Sequence, residues 1–136
     1  MNRKGLLPLI DRFWRFGVAG LIGFVVDTAV LYLLKDWLGP YGARLVSFCA
    51  GVVSTWLVNR NFAFGTVEKH LPLWREFVTY FMAMIAGGAV NFIAYSLLVA
   101  TIPLFFAYPI LAVAIGTGFG MVVNFALAHR LVFRGK

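Results

Sequence analysis

The sequence predicts an all-α integral membrane protein: four transmembrane helices arranged as two tandem helical hairpins, a parallel repeat with both termini in the cytoplasm. Three observations predict it. The chain of 136 residues is 62% hydrophobic and only 12% charged, with a mean hydropathy of +0.88, whereas soluble domains carry about 25% charged residues. Its apolar residues gather in four runs, 16–34, 43–58, 77–100 and 104–128, near the roughly 20 residues that cross a bilayer. The chain is also written twice, because the segment Val52 to Phe64 is answered by Val122 to Phe133. In both copies an apolar run closes on a polar residue, an arginine and a phenylalanine, the composition of a membrane–water interface.

The first run follows Arg3, Lys4, Arg12 and Arg15. It is longer than the roughly 7 to 15 apolar residues of a secretory signal and has no small-x-small cleavage site, so it is a retained span. Lys35 to Gly42 supplies the glycine and proline of a turn before the second run, which is the shortest. Cys49 lies in that run and is the only cysteine, which excludes an intramolecular disulfide and a cysteine metal site. Gly65 to Pro72 is the polar connector between the hairpins, and Thr101-Ile102-Pro103 turns the third run into the fourth. All of residues 1–136 form one membrane domain in this reading.

The basic residues set the orientation. Arg3, Lys4, Arg12, Arg15, Arg60, Lys69, Arg75, Arg130, Arg134 and Lys136 fall on one side, and only Lys35 and Arg44 on the other. The positive-inside rule places both termini in the cytoplasm of a multi-pass protein of the cell membrane. The net charge of +7 is then a collar for anionic phospholipid headgroups. Nucleic acid is not an expected partner, because no base-stacking aromatics lie on a polar surface.

The repeat has a register. Phe13, Gly23 and Asp27 match Phe77, Gly87 and Asn91 at one offset, while Ser54 and Arg60 match Asn124 and Arg130 at a larger one. The extra residues fall in the second hairpin's outer turn. Arg44 is thereby matched with Ala114.

Polar residues inside apolar runs are the candidate functional residues, since each is costly unless it faces a partner or a cavity. Asp27 lies about 18 Å along the helix from Arg15 at a rise of 1.5 Å per residue, and Arg44 is the cation expected to pair with it. Such a pair either fixes the hairpin or coordinates a headgroup or proton; Asn91 in the matching place of the second copy favours the latter. Arg15, Arg60 and Arg130, with Asn59, Ser54 and Asn124, are the expected phosphate and headgroup ligands, because the planar guanidinium donates paired hydrogen bonds to phosphate. The competing reading is snorkelling to ordinary phospholipid phosphates.

The glycines of the spans are read as helix-packing residues, and no phosphate-loop lysine follows them. His70 and His129 lack metal-ligand spacing, and no nucleophile stands beside a base. The expectation is therefore no enzyme activity, no catalytic residue, no metal and no cofactor. A groove wide enough for a sugar phosphate fits better between two copies of so small a bundle, so a homodimer is expected, with the fourth run as its contact.

Arg15-Phe16-Gly17, Gly20 and Asp27, followed by Asn59-Arg60-x-Phe62-x-Phe64, resemble the GtrA family over nearly the whole chain. Asn124-Phe125 and His129-Arg130 leading to Phe133 resemble its degenerate second copy. Ala63 stands where the family often has threonine, and His129 where asparagine often precedes the arginine. The resemblance implies a protein that moves polyprenyl-phosphate-linked sugars across the cytoplasmic membrane for cell-surface polysaccharide synthesis. It also implies an alternative, a non-catalytic anchor or partner of a polyprenyl-phosphate glycosyltransferase. A small-solute exporter using Asp27 is a third reading.

Overall fold

The computed structural model describes residues 3–133, and every regular element among them is helical. Arg134 and Lys136 of the basic collar, and the side chains of Arg3 and Lys4, lie outside what is described. Four helices are long and apolar enough to cross a membrane: Gly5–Gly39, Tyr41–Ala63, Leu73–Thr101 and Pro109–Val132. The chain divides into two compact units, Met1–Glu68 and Lys69–Lys136.

The helices outrun the apolar stretches that announce them. The first begins before Arg15, which the sequence places at its start, and continues through Lys35 and Asp36, which the sequence places in a turn. Charged residues end a hydrocarbon-soluble stretch, but their side chains leave the backbone hydrogen bonds of a helix intact. What breaks this helix is Gly39, at φ 72 and ψ 170, a conformation open to glycine because it has no Cβ. The fourth span begins at Pro109 rather than near residue 104, behind a separate short helix Pro103–Ala107. Pro109 has no N–H, and its ring drives Tyr108 out of helical geometry to φ −128, ψ 74.

In the first unit the two spans run antiparallel and meet at glycine. A Cβ built on Gly51 would lie 3.0 Å from the Asp27 Cβ and 3.1 Å from the Gly23 carbonyl oxygen, and one on Gly23 would strike Thr55 Oγ1. Further from Gly39, Phe16 meets Phe64 edge-to-face at 6.5 Å between centroids. The second unit repeats this. A Cβ on Gly120 would lie 3.0 Å from the Asn91 Cβ and 2.7 Å from the Gly87 carbonyl oxygen, one on Gly87 would strike Asn124, and Tyr80 meets Phe133 at 6.4 Å.

Equivalent residues are 64 apart along the first helices (87 − 23) and 69 apart along the second (120 − 51). The difference of five is the length of the helix Pro103–Ala107, so the insertion sits in the second unit's turn. Both second helices end in π-helical turns, Asn59–Ala63 and Ala128–Val132, closed by Phe64 N–H to Asn59 O and Phe133 N–H to Ala128 O, each 2.9 Å. This register corrects the pairing built on the arginines: Thr55, not Ser54, corresponds to Asn124, and Arg60 corresponds to His129 rather than Arg130. Arg44 likewise corresponds to Val113 rather than Ala114. The arginine motif misleads because Asn59 to Phe64 has one residue more between arginine and final phenylalanine than His129 to Phe133.

Close backbone approach makes these glycines intolerant of side chains. Gly51→Ala and Gly120→Ala should each lose about 1–3 kcal/mol through overpacking, while Gly88→Ala, with nothing within 4 Å of its added Cβ, should be neutral. Denaturant titration of helicity in micelles measures the difference.

Candidate functional site

Away from the Gly39 turn, the first helix presents Asp11, Trp14 and Arg15 on one face, as their spacing of three and four residues requires. Trp14 Nε1 donates to Asp11 Oδ1 at 2.9 Å. Arg15 Nε lies 3.0 Å from Asp11 Oδ2, yet this buried nitrogen makes no hydrogen bond, so the contact is an ion pair rather than an aligned bond. Arg15 Nη1 reaches the second helix through a long hydrogen bond of 3.4 Å to the Phe62 carbonyl oxygen. Its Cζ stands 4.8 Å from the Phe62 ring centroid and 5.7 Å from that of Trp14, and the two rings meet edge-to-face at 6.0 Å. Carboxylate, carbonyl and two aromatic faces together hold the guanidinium in place.

Beside this cluster opens a cleft of about 350 Å³, lined by Pro8, Asp11, Arg12 and Arg15 of the first helix and by Asn61, Phe62, Ala63, Gly65 and Thr66. Arg12 is half-buried and makes no ion pair or side-chain hydrogen bond among the described residues. Asn61 Nδ2 is committed to the Leu57 carbonyl oxygen at 2.8 Å, which leaves its Oδ1 as an acceptor. Two guanidinium groups against one carboxylate give the cleft an excess of one positive charge. Chemically it can receive an anion, with a hydroxyl and an amide oxygen beside it.

The structure distributes the expected ligands unevenly. Arg15 is on the cleft. Arg60 is half-buried, outside the lining, and already engaged within the protein. Asn59 is fully buried, so its amide belongs to the core of the π-turn rather than to a surface. Ser54 Oγ donates to the Ala50 carbonyl oxygen of its own helix at 2.8 Å. Asn124 and Arg130 belong to the second unit, where Asn124 packs on Gly87 with its Oδ1 buried and without a hydrogen bond, and Arg130 is exposed and engaged within the protein.

Deeper in the first hairpin, Arg44 Nη1 donates to Asp27 Oδ1 at 2.7 Å and Oδ2 at 2.8 Å. Sequence reasoning passed over Asp11, Arg12, Asn61 and Thr66. The four-residue spacing of Asp11 and Arg15 is a readable helical ion pair, but the connector residues had no such signal.

Residues 15–133 match the family model for the GtrA/DPMS, transmembrane domain, and no curated protein matches the chain. With four apolar helices, that domain makes this a multi-pass membrane protein.

If the cleft is an anion receptor, Asp11→Asn should tighten its hold on inorganic phosphate by about tenfold, because a unit charge about 6 Å away is worth about 1.4 kcal/mol at an effective dielectric near 40. Arg12→Ala should weaken it. Calorimetry in micelles reads both changes, and equal affinities in all three proteins would dismiss the cleft.

Proposed function

The chain belongs to the GtrA/DPMS transmembrane-domain family, and from that premise we propose that it moves a polyprenyl-phosphate-linked sugar across the cytoplasmic membrane for cell-surface polysaccharide synthesis. The lipid tail stays in hydrocarbon throughout. The difficulty is the phosphate and sugar, whose passage through an apolar core without hydrogen-bonding partners costs many kcal/mol. A protein that offers charge and polar groups at the boundary lowers that barrier without making or breaking a covalent bond.

The observation that carries this reading is the cleft at the open end of the first hairpin. It presents Arg12, which has no ion pair or side-chain hydrogen bond among the described residues, beside a clamped Arg15, just before the apolar run that starts at Phe16. An excess of one positive charge suits one phosphodiester, and Thr66 and the Asn61 oxygen can meet sugar hydroxyls. Arg60, two residues from Phe62, adds a further guanidinium to that end. In this proposal both termini, and with them the cleft, face the cytoplasm, where such lipids are made. Arg130 and Asn124 receive no ligand contact in it.

Purified protein in liposomes containing a polyprenyl-phosphate hexose tests the proposal through the time course of sugar exposed to an outside probe. Wild type should transfer the lipid well above empty liposomes, and Arg15→Ala and Arg12→Ala should each slow transfer by about tenfold, as the loss of one charge-assisted contact of about 1.4 kcal/mol implies. Folded wild-type protein that transfers nothing would instead leave the role of anchor for a glycosyltransferase.

A further inference from the structure

Arg44 spends one nitrogen on Asp27. Its Nη1 donates to both carboxylate oxygens, at 2.7 and 2.8 Å, and the guanidinium makes no other hydrogen bond, ion pair or ring contact among the described residues. The N–H groups of Nε and Nη2, which share one edge of the planar group, therefore have no acceptor among the described residues. The Arg44 side chain is 56% exposed, against 17% for Asp27. Unpaired N–H groups beside Leu45 and Val46, in a stretch otherwise solvated by lipid, require an acceptor from outside the chain.

The position of Arg44 identifies that acceptor. It lies five residues beyond the break at Gly39, about 7 to 8 Å along the helix. Around that break Trp37 and Tyr41 are 86% and 88% exposed, and Lys35 Nζ sits 4.7 Å from the Tyr32 ring centroid. Exposed Trp, Tyr and Lys mark the headgroup level of a bilayer, so lipid phosphates lie within an arginine's reach of Arg44. Two phosphate oxygens match the Nε–Nη2 edge as a bidentate pair.

The second unit shows that the hairpin does not need this ion pair. Asn91 stands at the place of Asp27 and Val113 at that of Arg44, yet the helices cross equally closely, with the glycine Cβ position 3.0 Å from the facing Cβ in both units. We infer that Asp27 and Arg44 form a lipid-phosphate site at the Gly39 end of the first hairpin. Asp27 orients the guanidinium, and the Nε–Nη2 edge of Arg44 takes the phosphate of a lipid headgroup. This site is distinct from the Arg12–Arg15 cleft and stands whether or not the protein transports lipid. The phosphate belongs either to a bulk glycerophospholipid or to a polyprenyl phosphate, which offer the same chemistry.

Native mass spectrometry of delipidated protein titrated with phosphatidylglycerol, polyprenyl phosphate and inorganic phosphate tests the inference. Whatever the Arg12–Arg15 cleft holds, wild type should retain one lipid phosphate more than Arg44→Gln does. The double variant D27N/R44V, which installs the second unit's pair, should keep wild-type helicity and thermal stability while losing the site. Tighter retention of polyprenyl phosphate than of phosphatidylglycerol would assign the site to the polyprenyl lipid, and equal retention to bulk lipid. Unchanged lipid retention in D27N/R44V would overturn the inference, as would inorganic phosphate competing on equal terms. Loss of helicity or of thermal stability in that variant would make the pair structural.

Discussion

Lipid removes the force that holds soluble helices together, since hydrocarbon solvates leucine as well as another helix does. Two membrane helices gain by touching only if their backbones come close enough for many weak contacts to add up. In each unit that approach is made at one place, where Gly51 lies against Asp27 and Gly23, and Gly120 against Asn91 and Gly87. The rest of each hairpin takes its register from there. Small buried residues, Ala43 and Ser47 in one unit and Ala112 and Gly116 in the other, continue the seam towards the turn. In the other direction the seam ends on the buried aromatic pairs Phe16–Phe64 and Tyr80–Phe133.

The existence of four spans was legible because a bilayer imposes length and apolarity on any segment that crosses it. Their ends were not, because charge and backbone geometry terminate different things: Lys35 leaves the helix running, and Gly39 and Pro109 stop it. The repeat was visible, but its register depended on which residues were held equivalent. Arginine was the eye-catching choice and lies on the π-turn, where the two copies differ by a residue; glycine at the crossing and the last phenylalanine carry the true correspondence. Asp27 and Arg44 could be paired from sequence because they are the one acid and the one cation within the apolar runs 16–34 and 43–58. The cleft could not be assembled that way, since Arg15 meets the Phe62 carbonyl across 47 positions and Thr66 is carried there by the connector.

Set on the same register, the two units share a frame and divide their chemistry. Arg15 becomes Thr79, Asp27 becomes Asn91, and Arg44 becomes Val113, while Asp11 and Arg12 are answered by Arg75 and Glu76 with the signs exchanged. The packing residues repeat and the charges do not. Candidate ligand chemistry is thereby concentrated at both ends of one hairpin, with the clamped Arg15 at the open end and Arg44 near the turn.

A duplicated hairpin whose second copy crosses through Asn91 and Val113 carries its own control for what the first copy's charges are worth to the architecture. Relatives that lose Asp27 and Arg44 together forfeit no helix contact, whereas losing either alone leaves the other without its ion-pair partner. The pair should therefore be inherited as one character, present or absent, and on the proposed lipid site its distribution among related chains would follow the lipids they meet rather than how they fold.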